Sequence, residues 1–208
     1  MLKDTHVLDW RESRRRAART AILEAAWAIV QEDGLAALSL RDLARRAGIT
    51  TPTVYAYFES KNDIYDAMFG QAAEEFAAHM AAPYESDDPR AMLVTGARRF
   101  VEFCTGDLAR YQLLFQRAVP GFAPSPDSFA PAVRALDSSR QLLALNGITA
   151  ERHLDMWTAL TTGLVSQQIA NDPGGDRWVR LIDDFVAMFL GYCRPPEQRP
   201  ARAGRRTQ

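Results

Sequence analysis

Short hydroxyl and aromatic side chains crowd residues 50–57, as Thr50, Thr51, Pro52, Thr53, Tyr55 and Tyr57, with Ser39 and Arg41 ahead of them and Lys61 behind. Hydroxyls at the start of a helix, where backbone N–H groups are unpaired, suit hydrogen bonds to phosphate oxygens and base edges. Arg14, Arg15, Arg16 and Arg19 add positive charge upstream. Catalysis has no comparable constellation. His6, His79 and His153 show no metal-ligand spacing, and neither HExxH nor G-x-S-x-G occurs. Cys104 and Cys193 stand far apart with no CxxC and read as small buried apolar residues. No catalytic residue, metal site or cofactor is expected.

Helices must position these groups, because helical periodicity dominates the chain. A first helix is expected over about Arg14 to Glu32, with Ile22, Ala26 and Ile29 on one face and Asp33-Gly34 as its stop. Ser39 with Asp42 three residues on reads as a capping box opening a short second helix that ends before Gly48. Thr50-Thr51-Pro52 opens a third through Phe58, and Ser60 with Asp63 opens a long fourth toward Met80. Beyond the break at Pro83–Pro89, helical segments follow at about 90–104, 107–117, 128–145, 150–171 and 175–193. The expected fold class is all-α with about nine helices. The expected domains are an N-terminal extension at 1–13, a DNA-binding domain at 14–60, a helical body at 61–193 and a disordered basic tail at 194–208.

The 208 residues are 47% hydrophobic and 25% charged, which excludes a wholly disordered chain or a disulfide miniprotein. A net charge of −1 hides an uneven distribution. Residues 1–61 hold 10 Lys/Arg against 8 Asp/Glu, residues 62–193 hold 10 against 17, and residues 194–208 hold 5 against 1. A polyanion would therefore meet the N-terminal part. No apolar run reaches the roughly 18 residues of a membrane span, and the opening residues lack a signal-peptide core, so a cytoplasmic protein without membrane contact is expected.

The second and third helices, joined at Ala47-Gly48-Ile49, form a helix-turn-helix pattern. Gly48 lets the chain reverse, Leu43, Ala44 and Ala47 keep the pair close, and Val54 and Phe58 point into a small core. Thr51, Thr53, Tyr55 and Tyr57 are then left facing outward. The run SLRDLARRAGITTPTVYAYFESK, from Ser39 to Lys61, resembles the tetracycline-repressor (TetR) family of bacterial transcription regulators. The resemblance covers roughly residues 18–65, including Ile22-Leu23-Glu24-Ala25-Ala26 and Glu32-Asp33-Gly34.

That resemblance implies a homodimer whose first three helices bind a double-stranded DNA operator and whose remaining helices bind a small-molecule effector. By position, Tyr55 and Tyr57 look like the pair that contacts sugar-phosphate, and Lys61 like the phosphate-binding lysine at the start of helix 4. Ser39 would cap helix 2 against a phosphate, while Thr50, Thr51, Pro52 and Thr53 would meet the groove. Ala56 stands where relatives often carry a larger residue, which shifts base readout toward Thr51, Thr53 and the arginine-rich arm. Arg41, Arg14 and Arg15 are further candidates for phosphate contact.

Pocket candidates for an apolar effector are Phe103, Tyr111, Phe115, Phe122, Met156, Trp157 and Leu160, with His153 or Gln167 as polar anchors. Dimer-interface candidates are Ala159, Gly163, Leu164, Leu181, Phe185, Met188 and Phe189 on the last two helices. The leading expectation is a ligand-responsive repressor. The alternatives are a DNA-binding protein without a small-molecule effector and, further off, an enzyme on the same helical body.

Overall fold

The computed structural model describes the backbone of residues 3–193, with side chains for Trp10 and from residue 12 onward. The anticipated tail at 194–208 lies outside the described residues. The described residues form nine α-helices and two 3-10 helices, without a strand. They are α1 (Lys3–Asp33), α2 (Leu40–Arg46), α3 (Thr51–Tyr55), α4 (Lys61–Met80), α5 (Pro89–Gly106), α6 (Leu108–Phe115), α7 (Pro126–Leu145), α8 (Glu151–Asn171) and α9 (Ile182–Cys193).

Three boundaries differ from expectation. Helix α1 starts at Lys3 rather than near Arg14. Residues 3–13 hold neither Pro nor Gly, so nothing in them interrupts helix propagation. Helix α3 closes at Tyr55, where the chain tightens: the N–H groups of Tyr57 and Phe58 both reach the Val54 carbonyl at 3.0 Å. Helix α9 begins at Ile182 rather than 175 because the buried Gln168 side chain organises the preceding loop. Its Oε1 accepts from the backbone N–H of Trp178 (2.9 Å), and its Nε2 donates to the Gly175 carbonyl (3.1 Å). Asp172 accepts from the Arg177 N–H at 2.9 Å.

Two compact units result. Among the described residues, one comprises 3–79 with Gly106–Ala135, the other Met80–Thr105 with 136–193. The expected division at 60/61 falls inside the first unit, because α4 completes that unit's core. Ile64, Tyr65, Met68, Phe69 and Ala72 are buried in one cluster with Ile22, Ala26 and Val30 of α1, Leu43 of α2, and Val54 and Phe58. Burial of the larger of these side chains contributes about 1.5–3 kcal/mol each, so the first three helices share their main stabilisation with α4. Polar ties reinforce it. The Tyr65 hydroxyl donates to the Leu35 carbonyl at 2.5 Å, and the Trp27 indole donates to Gln71 Oε1 at 2.9 Å.

In the second unit the Trp157 ring lies 5.2 Å from both Phe185 and Phe189, locking α8 to α9. Arg98 of α5 pairs with Asp183 of α9. Helices α5 and α7 approach closely at Gly96, where a Cβ would fall 2.7 Å from Leu142 Cδ1. Cys104 is buried, and desolvation pushes its thiol far above the ordinary range. Cys193 is half-buried rather than fully enclosed.

The Tyr65 bond carries a testable consequence. Tyr65→Phe keeps the ring but leaves the Leu35 carbonyl without its donor in a dry site, so urea unfolding should show a loss of about 1–3 kcal/mol.

Candidate nucleic-acid interface

The turn between α2 and α3 is set by backbone chemistry. Gly48 adopts φ +67°, the left-handed region that L side chains disfavour. This lets the Ile49 N–H return to the Ala44 carbonyl (2.9 Å) and the Gly48 N–H to the Arg45 carbonyl (3.3 Å). The pair of bonds is a Schellman closure, which satisfies the last carbonyls of α2 and reverses the chain. Leu43 and Val54 are fully buried on either side of it, and Ile49 packs against the same core.

Each helix start is capped from its own sequence. Ser39 accepts from the Asp42 N–H (3.1 Å) and donates its hydroxyl proton to Asp42 Oδ2 (2.6 Å). The Ser39 hydroxyl and then Arg45 hold the Asp42 carboxyl below its ordinary range. Thr50, extended at φ −90° and ψ 154°, accepts from the Thr53 N–H at 3.3 Å, and the two hydroxyl oxygens lie 2.8 Å apart. At α4 the capping box is reciprocal: Ser60 N–H donates to Asp63 (3.0 Å) and Asp63 N–H to Ser60 (3.2 Å).

These caps decide what is presented. Thr50, Pro52, Ala56 and Tyr55 are exposed, Tyr55 by 51%, and Thr51 and Thr53 are half-exposed. Tyr57 differs from its expected outward pose. Its side chain is half-buried against the core, and its backbone carbonyl accepts from Arg19 Nη1 at 2.6 Å. The same guanidinium sits 4.2 Å over the Phe58 ring. Arg19 thus joins α1 to the end of α3, a role that its place among four arginines did not reveal.

The other cations divide. Arg41, Arg14 and Arg15 are exposed, and Lys61 is half-buried with its ammonium 5.4 Å from the Tyr65 ring. Arg45 pairs with Asp42 (3.3 Å) and Arg46 with Glu32 (2.5 Å). The Arg46 hydrogen bond lowers the Glu32 carboxyl below its ordinary range. Asp66, on α4, was not singled out from sequence. It accepts from the Ser125 N–H (2.6 Å), the Ser125 hydroxyl (2.9 Å) and the Ser128 hydroxyl (2.8 Å), fastening α4 to the start of α7.

The effector-pocket candidates fall on both units. Phe122 packs on Tyr65 and Phe69 (5.8 and 6.4 Å), while the fully buried Tyr111 meets Phe115, which meets Phe76. Phe103, Met156, Trp157 and the buried His153 belong to the second unit, His153 edge-on to Tyr192. Leu160 and Gln167 instead line an open apolar groove of about 590 Å³ on α8 and α9, together with Ala159, Gly163, Leu164, Leu181, Phe185 and Met188. Phe189 lies buried beneath that groove against Trp157. Among the described residues no group of three or more His, Cys, Asp or Glu is placed to hold a metal ion. No helix among them is long and apolar enough to cross a membrane.

Residues 22–68 match the family model described as bacterial regulatory proteins, tetR family. The chain is 27% identical over 154 residues to the tetracycline repressor protein class A from transposon 1721 of Escherichia coli, across 73% of this chain and 67% of that protein. It is 27% identical over 191 residues to the HTH-type transcriptional regulator Rv1816 of Mycobacterium tuberculosis, across 81% and 77%. Its fold is similar to that of the transcriptional regulator FadR from Bacillus subtilis, solved in complex with stearoyl-CoA. The TM-score is 0.61 at 18% identity, over 82% of this chain and 97% of that one.

The caps give a mutational and a pH signature. Thr50→Ala should cost about 1 kcal/mol in denaturant unfolding, whereas the exposed Arg41→Ala should leave stability unchanged. The lowered carboxyls of Asp42 and Glu32 stabilise the fold above their unfolded pKa values. That contribution is lost as pH falls through the folded values, below about pH 4. Asp42→Asn should therefore flatten the acid limb of a thermal-melting profile.

Proposed function

This chain belongs to the TetR family of bacterial transcription regulators, and we propose that it works in the cytoplasm as a dimeric, ligand-released repressor rather than as an enzyme. The carrying observation is the helix-turn-helix itself: a Schellman turn at Gly48, a Thr50-capped α3, and Thr51, Thr53 and Tyr55 left at the surface. Thr51, Pro52 and Thr53 meet base edges in the major groove, with Thr50 at the rim. Lys61, Tyr55, Tyr57, Ser39 and Arg41 meet sugar-phosphate, joined by Arg14 and Arg15 from α1. Helix α3 has only five residues, so recognition rests on side chains rather than on a helix dipole.

Dimerisation is supported by the groove on α8 and α9. Leu160, Leu181 and Met188 are exposed there, Met188 by 62%, around Gly163, beside which a Cβ would meet open space. Trp178 lines the groove, and its indole N–H is buried without an acceptor among the described residues. Such an orphan costs about 1–3 kcal/mol, which an acceptor from a second copy would recover. In the dimer the two α3 helices enter successive major grooves about 34 Å apart.

Response to an organic ligand with an apolar part is supported by the stearoyl-CoA complex of the similar fold and by the tetracycline repressor among the relatives. Within this chain the coupling element is α4. It starts at Lys61 beside α3, is fastened to α7 through Asp66, and leads from the first unit into the second at 79/80. A coupling of about 1–3 kcal/mol through it suffices to change occupancy fivefold or more.

Selection of bound duplexes from a random pool, with molecular mass read in the same buffer, tests this reading. An enriched inverted repeat and a dimeric mass are expected. Enrichment of a site without two-fold symmetry, together with a monomeric mass, would sink it. On the selected site Lys61→Ala should weaken all sequences alike and reduce the salt slope by about 1, whereas Thr53→Ala should change the base preferred at one position.

A further inference from the structure

The part of α1 ahead of Arg14 makes a surface of its own. Trp10, Arg14 and Ala18 follow one another at i, i+4 and i+8, so they form a single stripe on α1. Across from the stripe stand Ala56 and Tyr57, the residues that close α3. With Arg15, these five line an open groove of about 570 Å³. Trp10 is 59% exposed, and the Arg14 guanidinium lies 4.8 Å from its ring centroid. An exposed indole with a cation stacked on one face offers an apolar plane, an N–H donor and a positive charge within a few ångströms. That set matches a sugar-phosphate strand, whose deoxyribose offers a C–H face and whose phosphate accepts hydrogen bonds and carries charge.

We propose that this groove holds the DNA backbone just outside the bases read by α3, with Trp10 packed on a deoxyribose and Arg14 and Arg15 on its flanking phosphates. The occupant follows from the positive charge of the groove and from its continuity with the presented face of α3 through Ala56. The inference rests on the regulator reading and extends it by a contact beyond the helix-turn-helix. Among the described residues, no carboxylate lines the groove to oppose a phosphate. Arg19, one turn further along α1, holds Tyr57 in position and thereby fixes the far wall.

The test compares the full-length protein with Trp10→Ala, Trp10→Phe and Arg14→Ala on two duplexes carrying the selected site. One ends at its outermost specified base, and the other continues by half a helical turn, about 5 base pairs, on each side. Trp10→Ala should lose about fivefold in affinity on the extended duplex and nothing on the short one. Trp10→Phe, which keeps the ring face without the N–H, should fall between. Arg14→Ala should reduce the salt slope on the extended duplex by about 1 per subunit. Hydroxyl-radical protection of the flanking sugars should disappear with Trp10→Ala. Equal affinity and unchanged flanking protection would overturn the inference alone, as would the same loss on both duplexes. Failure of the wild-type protein to prefer any duplex would instead overturn the regulator reading beneath it.

Discussion

One guanidinium holds the presented surface together. Arg19 of α1 donates to the Tyr57 carbonyl and covers the Phe58 ring, so the end of α3 is tied to the longest helix of the first unit. A five-residue helix is too short to be stable on its own, because nucleation consumes most of its hydrogen-bonding residues. Its direction is therefore set from outside. Val54 and Phe58 bury its inner side, and Thr50 satisfies its first free N–H. Arg19 closes its last turn. What remains at the surface is a strip of hydroxyls and one exposed tyrosine.

Helix α4 supports that strip through the core it shares with the first three helices. Its first turn is fixed by the reciprocal Ser60–Asp63 box, its inner face fills the core beneath α1, and Asp66 draws in the start of α7. Both α4 and α7 lead from one compact unit into the other along the chain. Helix α4 ends at Met80 as it leaves the first unit, whereas α7 runs unbroken through the boundary at 135/136. The three part-buried hydrogen bonds to the Asp66 carboxylate hold this junction together, since bonds to a charged group are worth about 1.5–3 kcal/mol each.

Local rules made the N-terminal part readable. The caps at Ser39, Thr50 and Ser60, the stop at Gly34 and the reversal at Gly48 each depend on residues within five positions, and each appears where the spacing put it. The core positions Leu43, Val54 and Phe58 follow from periodicity in the same way. Arg19 and Asp66 escaped because their partners lie 38 and about 60 residues away in the chain, at separations that no periodic pattern marks. Gln168 escaped for a related reason. Its neighbour Gln167 is equally polar, and which of the two turns inward depends on the loop that Gln168 itself gathers.

Composition, helical period and turn chemistry therefore specify an all-helical chain, its helix-turn-helix and the hydroxyls left at the surface of α3, since these are short-range consequences of which side chains can cap, reverse or bury. The allotment of aromatic residues among two cores and an open groove does not follow from period alone. Trp157 and Leu160 lie on neighbouring turns of one helix, yet Trp157 is enclosed by Phe185 and Phe189 and Leu160 is exposed. Their different fates depend on how α9 crosses α8, and that crossing is a property of packed volumes brought together across the chain.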